Sequence, residues 1–110
     1  MIAIELRVRF HLSGCRSLKE KRARLKGLKD RFGKQTGMAV CESDFADEHQ
    51  RAQWSFVAVA AAAKPVQQML DEVDRYLQFS VDAQIVDLQR LTLSAPYQSM
   101  AAAEAQDGQF

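Results

Sequence analysis

Lys19, Arg22, Lys26 and Lys29 follow one another at intervals of three, four and three residues, so a helix through them would set all four cations along one flank. Side chains of this type at this spacing break no bonds. They meet phosphates, each contact releasing counterions and carrying no base information. Arg24 and Arg31 would fall on the other flank, with Arg16 and Lys34 at the ends. The concentration is local. Eleven of the 15 Lys and Arg precede position 35 together with three of the 14 acids, a net +8, and the other four cations and eleven acids leave −7 on residues 35–110. The formal charge of +1 therefore conceals an electrically divided chain. A charge run is also what any solvated helix face displays, but only Glu20 and Asp30 oppose the cations between positions 16 and 34. We expect nucleic acid or another acidic partner, with Arg7 and Arg9 adding to the footprint. Lys21 falls inside the apolar arc of the same helix. It should snorkel towards the helix end or pair with an acid of residues 42–48.

Two further groups could do chemistry. Trp54-Ser55-Phe56 would make a base-stacking platform beside Arg7 and Arg9 if its rings faced an open sheet surface. If the rings faced the helices they would be core, with Ser55, Val57 and Val59 outside; the pattern leaves both registers open. Glu42, Asp44, Asp47, Glu48 and His49 are oxygen-rich enough to consider a divalent cation, but their spacing fits no EF-hand loop and turn chemistry explains them equally well. No metal and no cofactor is expected. Ser43 and Ser55 have no evident His partner, His11 has no companion, and no phosphate-loop, zinc-protease or nucleophile-elbow motif occurs. The chain is expected not to be an enzyme.

The elements that must position these residues follow from periodicity. Ile2, Ile4, Leu6, Val8 and Phe10 alternate with Ala3, Glu5, Arg7 and Arg9, a strand with one buried face. Ser13-Gly14 ends it, and Ser17 with Glu20 reads as a capping box. Leu18, Leu25, Leu28 and Phe32 then share an arc of roughly 80°, and Gly33 and Gly37 supply stop signals. Met38–Ser43 and Gln53–Ala60 read as a hairpin with a long polar loop. Pro65 suits a first helical position, and Val66, Met69, Leu70, Val73, Tyr76 and Leu77 form the stripe of a second helix to about Gln78. Gln84–Leu93 makes a last strand whose alternation slips at Gln89-Arg90, predicting a bulge there. The order β-α-β-β-α-β predicts an α+β ferredoxin-like sandwich: a four-stranded antiparallel sheet with both helices on one face, over residues 1–93. Its uncovered face offers an alternative role, a homodimeric interaction module without nucleic acid. Residues 94–110 carry little core material and read as a disordered tail.

Ser17-Leu18-Lys19-Glu20-Lys21-Arg22, Leu28-Lys29 with Arg31-Phe32, Val40-x-Glu42-x-Asp44-x-x-Asp47 and Gln50-Arg51-Ala52 together resemble the small bacterial YlxP-like proteins over roughly residues 1–93. The resemblance implies a ferredoxin-like fold and no established activity. It also implies genes placed among those for translation initiation and ribosome maturation, and hence RNA or a ribosomal subunit as the expected partner. His49 stands where that pattern has Trp, and the tail from Ser94 has no counterpart in it.

The remaining composition sets limits. At 110 residues, 47% hydrophobic and 26% charged, the chain can close one core without disulfides. Cys15 and Cys41 form no CxxC pair and read as reduced thiols of a cytoplasmic protein. Glu5, Arg7 and Arg9 interrupt any signal-peptide core, and the run Phe56 to Ala63 is too short to span a bilayer, so no membrane partner is expected.

Overall fold

The computed structural model describes residues 1–95. β1 (Ile2–His11), α1 (Leu18–Phe32), β2 (Met38–Asp44), β3 (Arg51–Ala60), α2 (Ala63–Ser80) and β4 (Gln84–Thr92) follow in the expected order. The four strands form one sheet in the order β2-β3-β1-β4, and every neighbouring pair is antiparallel. This is the ferredoxin-like arrangement. The tail expected from residue 94 lies, from residue 96 onward, outside the described residues.

The alternation in β1 decides which sheet face is covered. Leu6, Val8 and Phe10 are fully buried, while Arg7 and Arg9 on the other parity are exposed. Leu6 pairs with Phe56, Val8 with Trp54 and Phe10 with Ala52, so these β3 residues share the helix-covered face. They pack with Leu25, Leu28 and Phe32 of α1 and Val66, Leu70, Val73 and Leu77 of α2. Phe32 meets Phe56 and Tyr76 edge-on at 5.9 and 5.5 Å, joining both helices to the sheet. Gly27 lets α1 approach α2, because a Cβ there would collide with the Tyr76 hydroxyl.

The local signals held in most places and shifted in a few. Ser17 caps α1, its hydroxyl accepting from Glu20 N at 3.0 Å. Glu20 returns its carboxylate to Arg16 N at 2.9 Å rather than to the cap residue's own N–H. Leu18 is only half-buried, and Lys21 takes the fourth buried position on α1. Gly33 keeps a right-handed helical conformation; the left-handed residue is Gly37, at φ 80°, where a Cβ would stand 2.8 Å from Val59 O. α2 begins two residues before Pro65, which sits in its first turn, where a missing N–H leaves no bond unmade. β2 and β3 each run slightly longer than expected, β3 beginning at Arg51.

The bulge is elsewhere than predicted. The β1–β4 register shifts where Arg9 pairs with Asp87 and Phe10 with Ile85, leaving Val86 extra. Gln89 and Arg90 continue the alternation. Arg90 turns to the helix side of an edge strand and donates to Gln67 Oε1 at 2.6 Å and Asp71 Oδ1 at 2.8 Å, so a polar residue occupies a core-side position by reaching α2.

Candidate nucleic-acid interface

α1 lies beside the edge strand β2, and the cations of α1 sort into two groups by what they touch. Arg24 donates to Ser13 O at 3.0 Å and Asp82 O at 2.9 Å, with the Asp82 carboxylate at 3.2 Å. Arg31 lies over the Phe32 and Tyr76 rings at 5.6 and 5.4 Å. That flank is committed to the fold. Lys19, Arg22 and Lys29 on the other flank make no side-chain hydrogen bond or ion pair among the described residues. Lys26 has one long contact, 3.8 Å to Asp30, with both side chains exposed. An exposed pair of that kind contributes on the order of 0–1 kcal/mol and would yield to a stronger anion.

Arg22, Lys26 and Lys29 form the α1 wall of a cleft of about 420 Å³ between the helix and β2. Leu25, Val40 and Trp54 supply its apolar lining, and Asp30 and Glu42 its acids. Trp54 is half-buried and its Nε1 has no hydrogen-bond partner; Glu42 Oε2 likewise has none. Glu42 is close to Lys21 at 2.9 Å, yet an ammonium has three protons. The carbonyls of Phe45 at 3.0 Å, Ala46 at 3.4 Å and Arg51 at 3.2 Å take all three. The Lys21–Glu42 contact is therefore charge against charge. Lys21, 2% exposed, pairs with an acid of residues 42–48 as expected and ties the β2–β3 loop to α1.

Arg7 and Arg9 do not join this site. They lie on the opposite, open face of the sheet, and both are engaged. Arg7 forks onto Glu5 at 3.0 and 3.2 Å. Arg9 donates to Gln53 Oε1 at 3.0 Å and lies 5.4 Å from the Phe45 ring centroid. Ser55 Oγ stands 2.7 Å from Glu5 Oε2 and 2.8 Å from Ser43 Oγ, and Gln53 Nε2 donates to Ser43 Oγ at 3.1 Å. A continuous polar network thus links Arg7, Glu5, Ser55, Ser43, Gln53 and Arg9 on the open face. The Ser55 hydrogen bond, with help from Arg7 and against the cost of burial, holds the Glu5 carboxyl below its ordinary value. The stacking platform is excluded by the same register, because Trp54 and Phe56 face the helices. Sequence reasoning missed Trp54 as a cleft residue.

A family model described as a protein of unknown function (DUF503) matches residues 4–90. The chain belongs to that family. No curated protein matches it. The span matched to DUF503 contains every cation from Arg16 to Lys34 and all of the cleft.

The acidic segment is absorbed locally. Asp44 caps Phe45 N at 2.8 Å, Glu48 forks with Arg51 at distances down to 2.8 Å, and Glu42 faces Lys21. Phe45 takes a left-handed φ of 61°, held by Lys21 at its carbonyl and by the Arg51 guanidinium 3.8 Å from its ring centroid. Among the described residues no three His, Cys, Asp or Glu side chains converge. Burial pushes the Cys15 thiol up, and the Glu20 carboxylate beside it adds to the shift. Cys41 is exposed. No described helix is long and apolar enough to cross a membrane.

Proposed function

We propose that this chain is a non-enzymatic, YlxP-like bacterial protein of the cytoplasm that binds RNA, on a ribosomal subunit or its precursor, through the cationic flank of α1. The observation that carries this reading is the sorting of the helix charges. Lys19, Arg22, Lys26 and Lys29 share the flank that the fold leaves uncommitted, while Arg24, Arg31 and Lys21 are used internally. Free cations over a cleft can meet one phosphodiester backbone without first surrendering a partner. Arg7 and Arg9 belong to this proposal only as a weaker, separate patch.

Reversing Arg22, Lys26 and Lys29 to Glu tests it. Each change lies outside the core and should shift stability by about 0.5 kcal/mol or less. Co-sedimentation with ribosomal subunits at two salt concentrations should nevertheless collapse. Retained binding by the triple variant would transfer the case to the second reading.

That second reading is a homodimer through the open sheet face. Leu91 and Leu93, 57% and 46% exposed, stand there beside half-buried Val57 and Val59. A mass that doubles at micromolar concentration, with no affinity for RNA, supports it.

A further inference from the structure

The geometry points to an unstacked base of single-stranded RNA as the occupant of the α1–β2 cleft, with its phosphates on Arg22, Lys26 and Lys29. The inference rests on the reading of that flank as a polyanion site and adds what lies beneath the cations. A purely electrostatic surface needs no cavity. Here the cations border a cleft of about 420 Å³, within the range of roughly 300–1,000 Å³ typical of small-ligand sites. Its lining of Leu25, Val40 and Trp54 suits a flat, weakly hydrated ring. Its charge is uneven: Arg22, Lys26 and Lys29 outnumber Asp30 on the α1 wall and Glu42 is the charged residue on β2, so a phosphate is drawn to the helix side and an exocyclic amine to the carboxylate.

Two residues of the lining also carry polar groups side by side. Trp54 Nε1 lacks an acceptor, the Glu42 carboxylate is anchored through Oε2 by the Lys21 ammonium at 2.9 Å, and the two residues are register partners on adjacent strands. The Watson–Crick edge of every base places a donor next to an acceptor, which is the complement of this pair. A duplex keeps those edges closed and could touch only the rim. The cleft therefore selects single strands or splayed-out loop bases.

Trp54 is the only tryptophan in the chain, so its emission reports the cleft directly. A short oligocytidylate, the same strand made abasic and an RNA duplex are titrated at low salt, with binding read by anisotropy and Trp54 emission in parallel. The intact strand should bind about fivefold to a hundredfold tighter than the abasic strand, the range expected for seating one base on protein rings. It should change Trp54 emission with the same midpoint, and the duplex should leave the emission unchanged. Val40→Phe, which fills the cleft from β2 and leaves the cations in place, should make intact and abasic strands equal. Equal affinity in the parent with unchanged emission overturns base insertion and spares the charge reading. A preference that survives Val40→Phe overturns it too. If neither strand nor duplex binds, the polyanion reading itself fails.

Discussion

The cations of the α1 flank and those of the open sheet face look alike in sequence and differ in what they already hold. Arg7, Arg9 and Arg51 each have an acceptor, in Glu5, Gln53 and Glu48. Lys19, Arg22 and Lys29 have none among the described residues. A phosphate arriving at the open face must displace an existing bond and leave Glu5 or Gln53 in want of a partner. One arriving at α1 displaces water and mobile counterions, and at Lys26 a 3.8 Å pair. Charge density alone therefore overstates binding capacity; the uncommitted charge is what matters.

Lys21 breaks the comparison from within α1, since it is a cation on the same helix that neither flank owns. It is nearly inaccessible and its ammonium serves three carbonyls and one carboxylate. Lys21→Met should cost about 3–5 kcal/mol, the range for stranding one member of a buried ion pair. Leu28→Ala, at a fully buried position, should cost about 2–5 kcal/mol and serves as the core reference. Urea denaturation measures both. A loss below about 1 kcal/mol for Lys21→Met would show that the β2–β3 loop does not depend on it.

What the sequence disclosed, and what it did not, follows the same division. β1 was legible because five large apolar residues alternate strictly with Ala3, Glu5, Arg7 and Arg9, and α1 because Ser17 and Glu20 announce its start. The β3 register was not, because Val57, Val59, Ala58 and Ala60 make both parities apolar at its far end. The deciding signal stood at the near end. Arg51, Gln53 and Ser55 are polar on one parity, opposite Ala52, Trp54 and Phe56, and a strand started at Gln53 leaves out the first residue of each set. The bulge was misplaced because adjacent polar residues imitate a slip, whereas Arg90 simply spans an open sheet edge to α2. The cation flank could be counted from spacing. Its freedom could not, since partners such as Asp82 for Arg24 and Gln53 for Arg9 are distant in sequence and meet only in the fold.

Glu5 sharpens the comparison on the open face. Its folded carboxyl is depressed, so it contributes stability that is present above the unfolded carboxylate value of about 4.3 and lost as pH falls through the lower folded value. Its register partners Val57 and Leu91 are uncharged, leaving Ser55 and Arg7 as the groups that set the shift. Glu5→Gln should cost about 1–2 kcal/mol at neutral pH. The gap from the parent should close in acid. RNA affinity should be untouched; a fall in it matching that of the α1 variants would mean the two faces act as one site.

The smallest effect on stability should accompany the clearest effect on binding. Single Ala replacements of Arg22, Lys26 and Lys29 remove no buried contact and, for Arg22 and Lys29, no ion pair, so each should change the unfolding free energy by about 0.5 kcal/mol or less. If each side chain meets one phosphate, each replacement should lower the slope of log affinity against log salt by roughly 0.7–0.9. Arg7→Ala should do the reverse, freeing Glu5 and costing stability while leaving the slope where it was. Measuring both quantities on one panel separates commitment from exposure, because Arg7 and Arg22 are both exposed and only Arg7 is paired. An unchanged slope for all three α1 variants would place the polyanion elsewhere. An equal slope change for Arg7→Ala would show that an existing ion pair is no barrier to phosphate, and the distinction between the two faces would fall.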